Sequence, residues 1–311
     1  MKKSLKGLWK KKDENRENHQ KEGKEEFVQD LSQSQRAGMA FIIQLLMKEP
    51  VKMPDKEHMV SVMRRYLSEV ECFTYDEKCA GFAASKYEVK FKEGKMPPQL
   101  MVTECLEFDG SKIGAFERSQ MWDCENSGQL LEDCHYHVLA TDMLAAGLLA
   151  KERAELDMDF LEAVVALYPE CEAVYFPTSG KMFAADDVRN HQIPREDRFI
   201  YFGVNARFFN IQGTNDMLVD TLGMSTLFLP DIQYHFHDMD PNWVVNHAYN
   251  IASYIFENDN PIHSGDVIDG IMDGKMSVDI QWKCQYENAL IQPAREVIDV
   301  NMGEYAAGKR E

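Results

Sequence analysis

Residues 217–236 read MLVDTLGMSTLFLPDIQYHF. The stretch predicts a strand, a glycine-containing bend and a second strand. From Asp231 to His237 the side chains alternate, with Ile232, Tyr234 and Phe236 on one side and Gln233, His235 and His237 on the other. A period of two marks a strand with one buried face. Leu227 to Pro230 turn the chain. Asp220 stands among apolar residues, where strands seldom carry an aspartate. A buried Asp220 needs a partner, because an unpaired carboxylate out of water is costly or keeps its proton.

The same alternation flanks this unit. Phe202, Val204, Ala206 and Phe208 oppose Tyr201, Asn205 and Arg207. Val278, Ile280, Trp282, Cys284 and Tyr286 alternate with Asp279, Gln281, Lys283, Gln285 and Glu287, and a last strand covers about 296–300. Asp240-Pro241 is a helix start, an N-cap followed by proline at the first position. Val244, Val245, Ala248, Ile251, Ala252 and Ile255 give that helix its apolar face. Residues 261–277, interrupted by glycines, read as a long loop.

Upstream, AFIIQLL (40–46) reads as a central strand. Asp55 caps a helix with a stripe of Met59, Val62, Met63, Tyr66, Leu67 and Val70. Strands at 81–91 and 100–106, a short helix around 115–123 and a strand at 134–142 complete the order β-α-β-β-α-β. An amphipathic helix at about 149–168 ends at Pro169. The fold class expected is α+β: largely antiparallel sheets with helices on one face, a ferredoxin-like βαββαβ N-terminal half and a second α/β half. The expected divisions are a basic, polar, disordered tail (1–35), the two halves (36–148 and 149–302) and a polar tail (303–311).

The net charge of −18 is unevenly spread: residues 1–24 hold nine Lys/Arg and four Asp/Glu, the rest 25 and 48. So acidic a body repels nucleic-acid backbones and suits a basic protein partner. In the tail, Leu5, Leu8 and Trp9 among lysines allow a short helix on an anionic membrane or a solvated segment. The seven cysteines are odd in number and form no CxxC, which argues for reduced thiols. No apolar run is long enough for a membrane span, and the basic start lacks the apolar stretch of a secretory signal. A cytoplasmic location is expected.

Three constellations can carry chemistry. His135/His137 and His235/His237 are both HxH on predicted strands, where alternate residues share a face. If the two strands are neighbours, four imidazoles can converge on a zinc ion; the plainer reading is four polar-face histidines. Arg207 and Asp220 form either a structural ion pair or a site in which Arg207 reads a carboxylate or phosphate, with Glu287 and Asp299 as other partners for Arg207. Gln233, His235 and Lys283 extend this polar face, which is either solvated or a docking surface. PTSGKMF (177–183) lacks the spacing of a phosphate loop. Neither GxSxG nor HExxH occurs.

The pieces SGKMF, VNARFFN, VDTLGMSTLFLPDIQYHF, the Asp240-Pro241 helix, GDVIDGI, WKCQYENALIQP and REVIDV together resemble a bacterial family known as domain of unknown function 4261. The resemblance runs from about 199 to 300 and more loosely back to about 96, through MPPQL and CHYHVLATDM. Phe228 stands where the family pattern has Gly, and Tyr234 where it has Cys. His237 and the His135/His137 pair lie outside the pattern. The resemblance implies an α+β fold and a cytoplasmic protein, and no activity.

The reading is a non-enzymatic, protein-binding module, adaptor-like or immunity-like, needing no cofactor. Its candidate surface is Arg207, Asp220, Gln233, His235 and Lys283. The alternatives are a metal-dependent enzyme using the HxH pairs and an anion-binding sensor centred on Arg207 and Lys181.

Overall fold

The computed structural model describes residues 40–92 and 94–308. The expectations placed on residues 1–35 therefore lie outside the described residues. The strands are β1 Ile42–Met47, β2 Val70–Tyr75, β3 Cys79–Ala84, β4 Val89–Phe91, β5 Gly94–Met96, β6 Gln99–Glu107, β7 Tyr136–Met143, β8 Ala173–Phe176 and β9 Lys181–Ala184. They continue with β10 Asn205–Asn210, β11 Met217–Leu222, β12 Asp231–Phe236, β13 Val267–Met272, β14 Lys275–Asn288 and β15 Glu296–Asn301. The helices are α1 Lys56–Leu67, α2 Ala115–Arg118, α3 Ser127–Asp133, α4 Ala150–Leu167, α5 Ala185–Arg189, α6 Arg198–Gly203 and α7 Pro241–Glu257.

The fold is α+β. One sheet runs β2-β3-β6-β7-β1-β8-β9, a second runs β10-β11-β12-β15-β14-β13, and β4 and β5 form a separate hairpin. Among the described residues only β12 and β15 pair in parallel; the other strand pairs are antiparallel. The first sheet keeps the two crossovers of the expected βαββαβ frame, with three strands added. Helix α1 connects β1 to β2, and the second crossover is α4, between β7 and β8, rather than the segment at 115–123. Strands β8 and β9 therefore complete the first sheet, and the sheets divide the chain after Ala184, not at 148.

Local sequence explains the elements. Asp55 accepts a hydrogen bond from His58 N at 2.9 Å, and Met59, Met63 and Leu67 bury one stripe of α1. Asp240 caps α7 by accepting from Asn242 N at 2.9 Å, with Pro241 behind it. Helix α4 is buried nearly all round because it lies between the first sheet and the second half, touching α1, α5, α6 and the turn at Met224–Leu227. A helix so placed has no clean polar face, and it buries Arg153, Asp157 and Asp159. On the other face of the first sheet, Leu130, Leu131 and Cys134 pack on Leu46, Tyr175 and Met182.

The expected strand at 81–91 is broken by a turn at 85–87 into β3 and β4. Residues 198–203 form α6 rather than the start of a strand, because Phe199 packs on Phe41 and Phe256 while Phe202 packs on Phe183. The apolar run there satisfies both periods, and packing selects the helix. The loop read at 261–277 contains β13 and a tight turn to β14. Of the expected polar tail, residues 303–308 fold back on β12: Ala306 bridges Phe236, and Ala307 N donates to His235 O at 2.9 Å.

Phe228 has φ 58°, in the left-handed region. Glycine adopts this conformation freely, whereas a bulky residue rarely does.

Candidate functional site

The register of the second sheet sets one polar row across four strands. Arg207 faces Asp220, Asp220 faces Gln233, and Gln233 faces Asp299. Helix α7 packs on the opposite, apolar face, where Val219, Ile232 and Tyr234 are buried. The polar row is buried as well: Arg207, Asp220, Gln233 and Asp299 are all removed from solvent.

The cover is the segment 289–295, which folds back between β14 and β15. Leu290 N donates to Gln233 Oε1 at 2.7 Å, and Gln233 Nε2 donates to Asp299 Oδ1 at 3.1 Å. Arg207 clamps Asp220 bidentately, Nε to Oδ1 at 2.8 Å and Nη2 to Oδ2 at 2.5 Å, and donates to Gln292 O at 2.9 Å. Arg295 descends from the segment to Asp220 Oδ2 at 2.8 Å and Asp231 Oδ2 at 3.0 Å, and also donates to Thr221 O at 2.8 Å. The other oxygen of Asp231 accepts from Thr221 Oγ1 at 3.1 Å and Met224 N at 3.2 Å. Burial raises the Asp231 pKa above its ordinary value, and Arg295 opposes that shift. Burial works against the charge of Arg295, but Asp220 and Asp231 outweigh it and raise its pKa.

This arrangement corrects the reading of an accessible polar face. Arg207, Asp220 and Gln233 are a buried, hydrogen-bonded interior network rather than an accessible surface. The partner of Arg207 is Asp220, not Glu287 or Asp299. His235 is half-buried, with Nε2 3.6 Å from Asp216 Oδ2, and only Lys283 of the candidate surface is exposed. Lys181 is also interior. Its ammonium donates to Tyr201 O and to Val204 O (2.8 Å), lies 3.3 Å from Asp123 Oδ2, and is ringed by Phe183, Tyr201 and Tyr249. An anion sensor on Arg207 and Lys181 has no accessible cation at either position.

The histidine pairs do not meet. His137 lies on β7 of the first sheet, with His135 just before that strand; His235 lies on β12 of the second, with His237 just after it. His137 packs at a tilt against Phe108, and burial lowers its pKa. His237 Nδ1 lies 3.0 Å from Asp238 at the exposed strand end. A shared zinc site needed neighbouring strands, and the topology separates them. Among the described residues no group of three or more His, Cys, Asp or Glu is placed to hold a metal ion.

Two buried clusters went unread in the sequence. On α7, His247 takes a hydrogen bond from Tyr234 OH at Nδ1 (2.8 Å), and its Nε2 lies 2.7 Å from Asp269 O, which fixes the proton on Nε2. Burial lowers its pKa to about 4. The available signal was one histidine on an otherwise apolar helix face. The second cluster surrounds Arg153, which pairs with Asp142 at 2.7 Å, donates to Thr226 O and lies 3.8 Å from Asp157. Neither carboxylate oxygen of the buried Asp157 has a hydrogen-bond partner among the described residues.

Burial first, and Asp142 second, push the Asp157 pKa well above 3.8. The folded state therefore binds a proton that the unfolded chain releases, and stability falls as pH rises from about 4 through the folded-state pKa. Asp157→Asn removes this titration and is expected to raise stability by about 1–2 kcal/mol near pH 8. The gain should vanish near pH 4. Urea unfolding at the two pH values checks it, and an equal effect at both would refute the assignment.

A search of curated proteins and a search of solved structures return no match. Residues 220–301, the segment carrying Asp220, Gln233, Arg295 and Asp299, fit the model of the family described as Domain of unknown function (DUF4261).

Proposed function

We propose that the chain is a cytoplasmic, non-enzymatic protein-binding module, and that its contact surface is the β13–β14 hairpin. The observation that carries this reading is the hairpin's exposed apolar set. Val267 and Val278 are 56% and 73% exposed, with Met272 and Met276 exposed beside them. Strand β13 is the terminal strand of its sheet. Open edges usually carry charge or are covered, and an edge presenting apolar side chains suits an added strand from a partner. Asp266, Asp273 and Asp279 are exposed around it, which favours a basic partner. The polar row under 289–295 then serves to hold the sheet rigid behind the hairpin.

The test is affinity capture from lysate of the native host, comparing the native chain with Val267→Glu/Val278→Asp. The expected result is one near-stoichiometric basic protein, released by salt and lost with the double variant. Both positions are surface positions, so the melting temperature should stay within about two degrees. A partner held equally by the variant would move the surface elsewhere, and no partner at all would remove the reading.

A further inference from the structure

The strongest contrast of charge in this chain lies between its first residues and its second sheet. From 208 to 294 the sequence holds twelve Asp/Glu, two Lys and no Arg. Residues 1–12, MKKSLKGLWKKK, hold six lysines and no acidic residue. Among those lysines stand Leu5, Leu8 and Trp9, at the i, i+3, i+4 spacing of an apolar helix face.

On the second sheet the acidic charge surrounds an apolar patch made wholly of described residues. Val267, Met272, Met276 and Val278 are exposed on the β13–β14 hairpin. Trp243 of α7 is exposed beside the hairpin turn, where a Cβ on Gly274 would meet the indole at 2.9 Å. Asp269 pairs with Gln281 but Gly270 with Ser277, so residues 278–280 have no partner on β13. This bulge leaves Val278 and Asp279 exposed. Asp240, Asp266, Asp273 and Asp279 are exposed around the patch, against Lys275 and Lys283. The opposite edge of the sheet is covered by the chain itself. Gln120 pairs with the outer backbone of β10, Nε2 donating to Phe208 O at 3.2 Å and Oε1 accepting from Phe208 N at 2.9 Å, and Phe116 of α2 stacks on Phe209. No strand lies beyond β13 among the described residues.

The described chain starts close to this sheet. Phe41 packs on Phe199 with ring centroids 6.0 Å apart, and Phe199 on Phe256 at 6.2 Å, near the C-terminal end of α7. Helix α7 has 17 residues and is therefore about 25 Å long. Trp243, near its other end, lies against Gly274 of the hairpin. The path from Phe41 to the hairpin is thus about 40 Å, while a chain running from 13 to 40 spans up to about 90 Å. A segment joined to the sheet in this way meets it intramolecularly, which favours it over a free basic chain.

We propose that residues 1–12 of this chain dock on the β13–β14 hairpin and compete there with the basic partner. Leu5, Leu8 and Trp9 cover the exposed valines and methionines, and the lysines meet Asp266, Asp273 and Asp279. The competition rests on the hairpin being the partner's contact surface; the docking does not. An anionic membrane is repelled by the same aspartates.

The test is zero-length carbodiimide cross-linking of the full chain, mixed from isotope-labelled and unlabelled protein and read by mass spectrometry. The expected result is links from lysines of 1–12 to Asp266, Asp273 or Asp279 within one chain. They should fall about fivefold or more at high salt and in Leu5→Ser/Leu8→Ser/Trp9→Ser. Val267→Ser/Val278→Ser should lower them similarly with the melting temperature near native, since both positions are exposed. Links spread equally over acidic residues of the first sheet would overturn the docking. So would links formed only between chains, which would make a second copy the occupant. In lysate capture the Leu5/Leu8/Trp9 variant should recover severalfold more basic partner than the native chain, and equal recovery would overturn the competition. A partner captured through the hairpin with no intrachain links would refute this proposal and leave the contact surface standing. Intrachain links with no partner would support the docking and remove the partner reading.

Discussion

Arg295→Ala is expected to destabilise the protein by about 3–5 kcal/mol, the range for breaking a buried ion pair by removing one partner. Among the described residues, Arg295 alone pairs with Asp220 and Asp231 together, both of them buried. Its loss strands Asp231 without an ion-pair partner and frees the carbonyls of Thr221, Ile291 and Pro293. Arg207→Ala should cost less, because Asp220 then keeps Arg295. The two substitutions share Asp220, so the double variant should depart from additivity. Urea unfolding of the three variants checks this. A loss below about 1 kcal/mol for Arg295→Ala would mean that the 289–295 segment does not hold the sheet.

Acidification should cost on the order of 3 kcal/mol through His247 alone. Its pKa falls from 6.5 in the unfolded chain to about 4 in the fold, with burial as the main cause. The folded state then binds fewer protons than the unfolded chain between these values. This stabilisation is complete above about pH 6.5 and is lost as pH falls through 4. Asp157 acts in the opposite direction, so the native pH profile is a sum. His247→Gln removes one contribution, and the difference between the native and variant slopes isolates it. The decisive measurement is the imidazole titration by NMR: a His247 pKa near 6.5 would refute the buried, neutral assignment.

Much of the fold was legible because it follows from short-range pattern. The Asp55 and Asp240 caps, the central strand at 42–47, the alternation in β12 and the helix at 150–167 all sit where periodicity and capping chemistry place them. The Arg207–Asp220 pair was legible too, since a charge on each of two adjacent strands leaves few other partners. What misled was the absence of long-range information. A polar strand face reads as wet, yet here it is dry because 289–295 returns over it. That segment has no period of its own, so nothing local announces where it lands.

The sequence by itself determined the α+β class, most of the elements, the uneven charge and the family resemblance, because each depends on residues within a few positions of one another. The tertiary structure alone decided which polar residues meet. It sent the HxH pairs to different sheets, buried Lys181 among three aromatic rings, and joined Tyr234 on β12 to His247 on α7. Those encounters are set by strand order and crossover, which depend on the packing of the whole core.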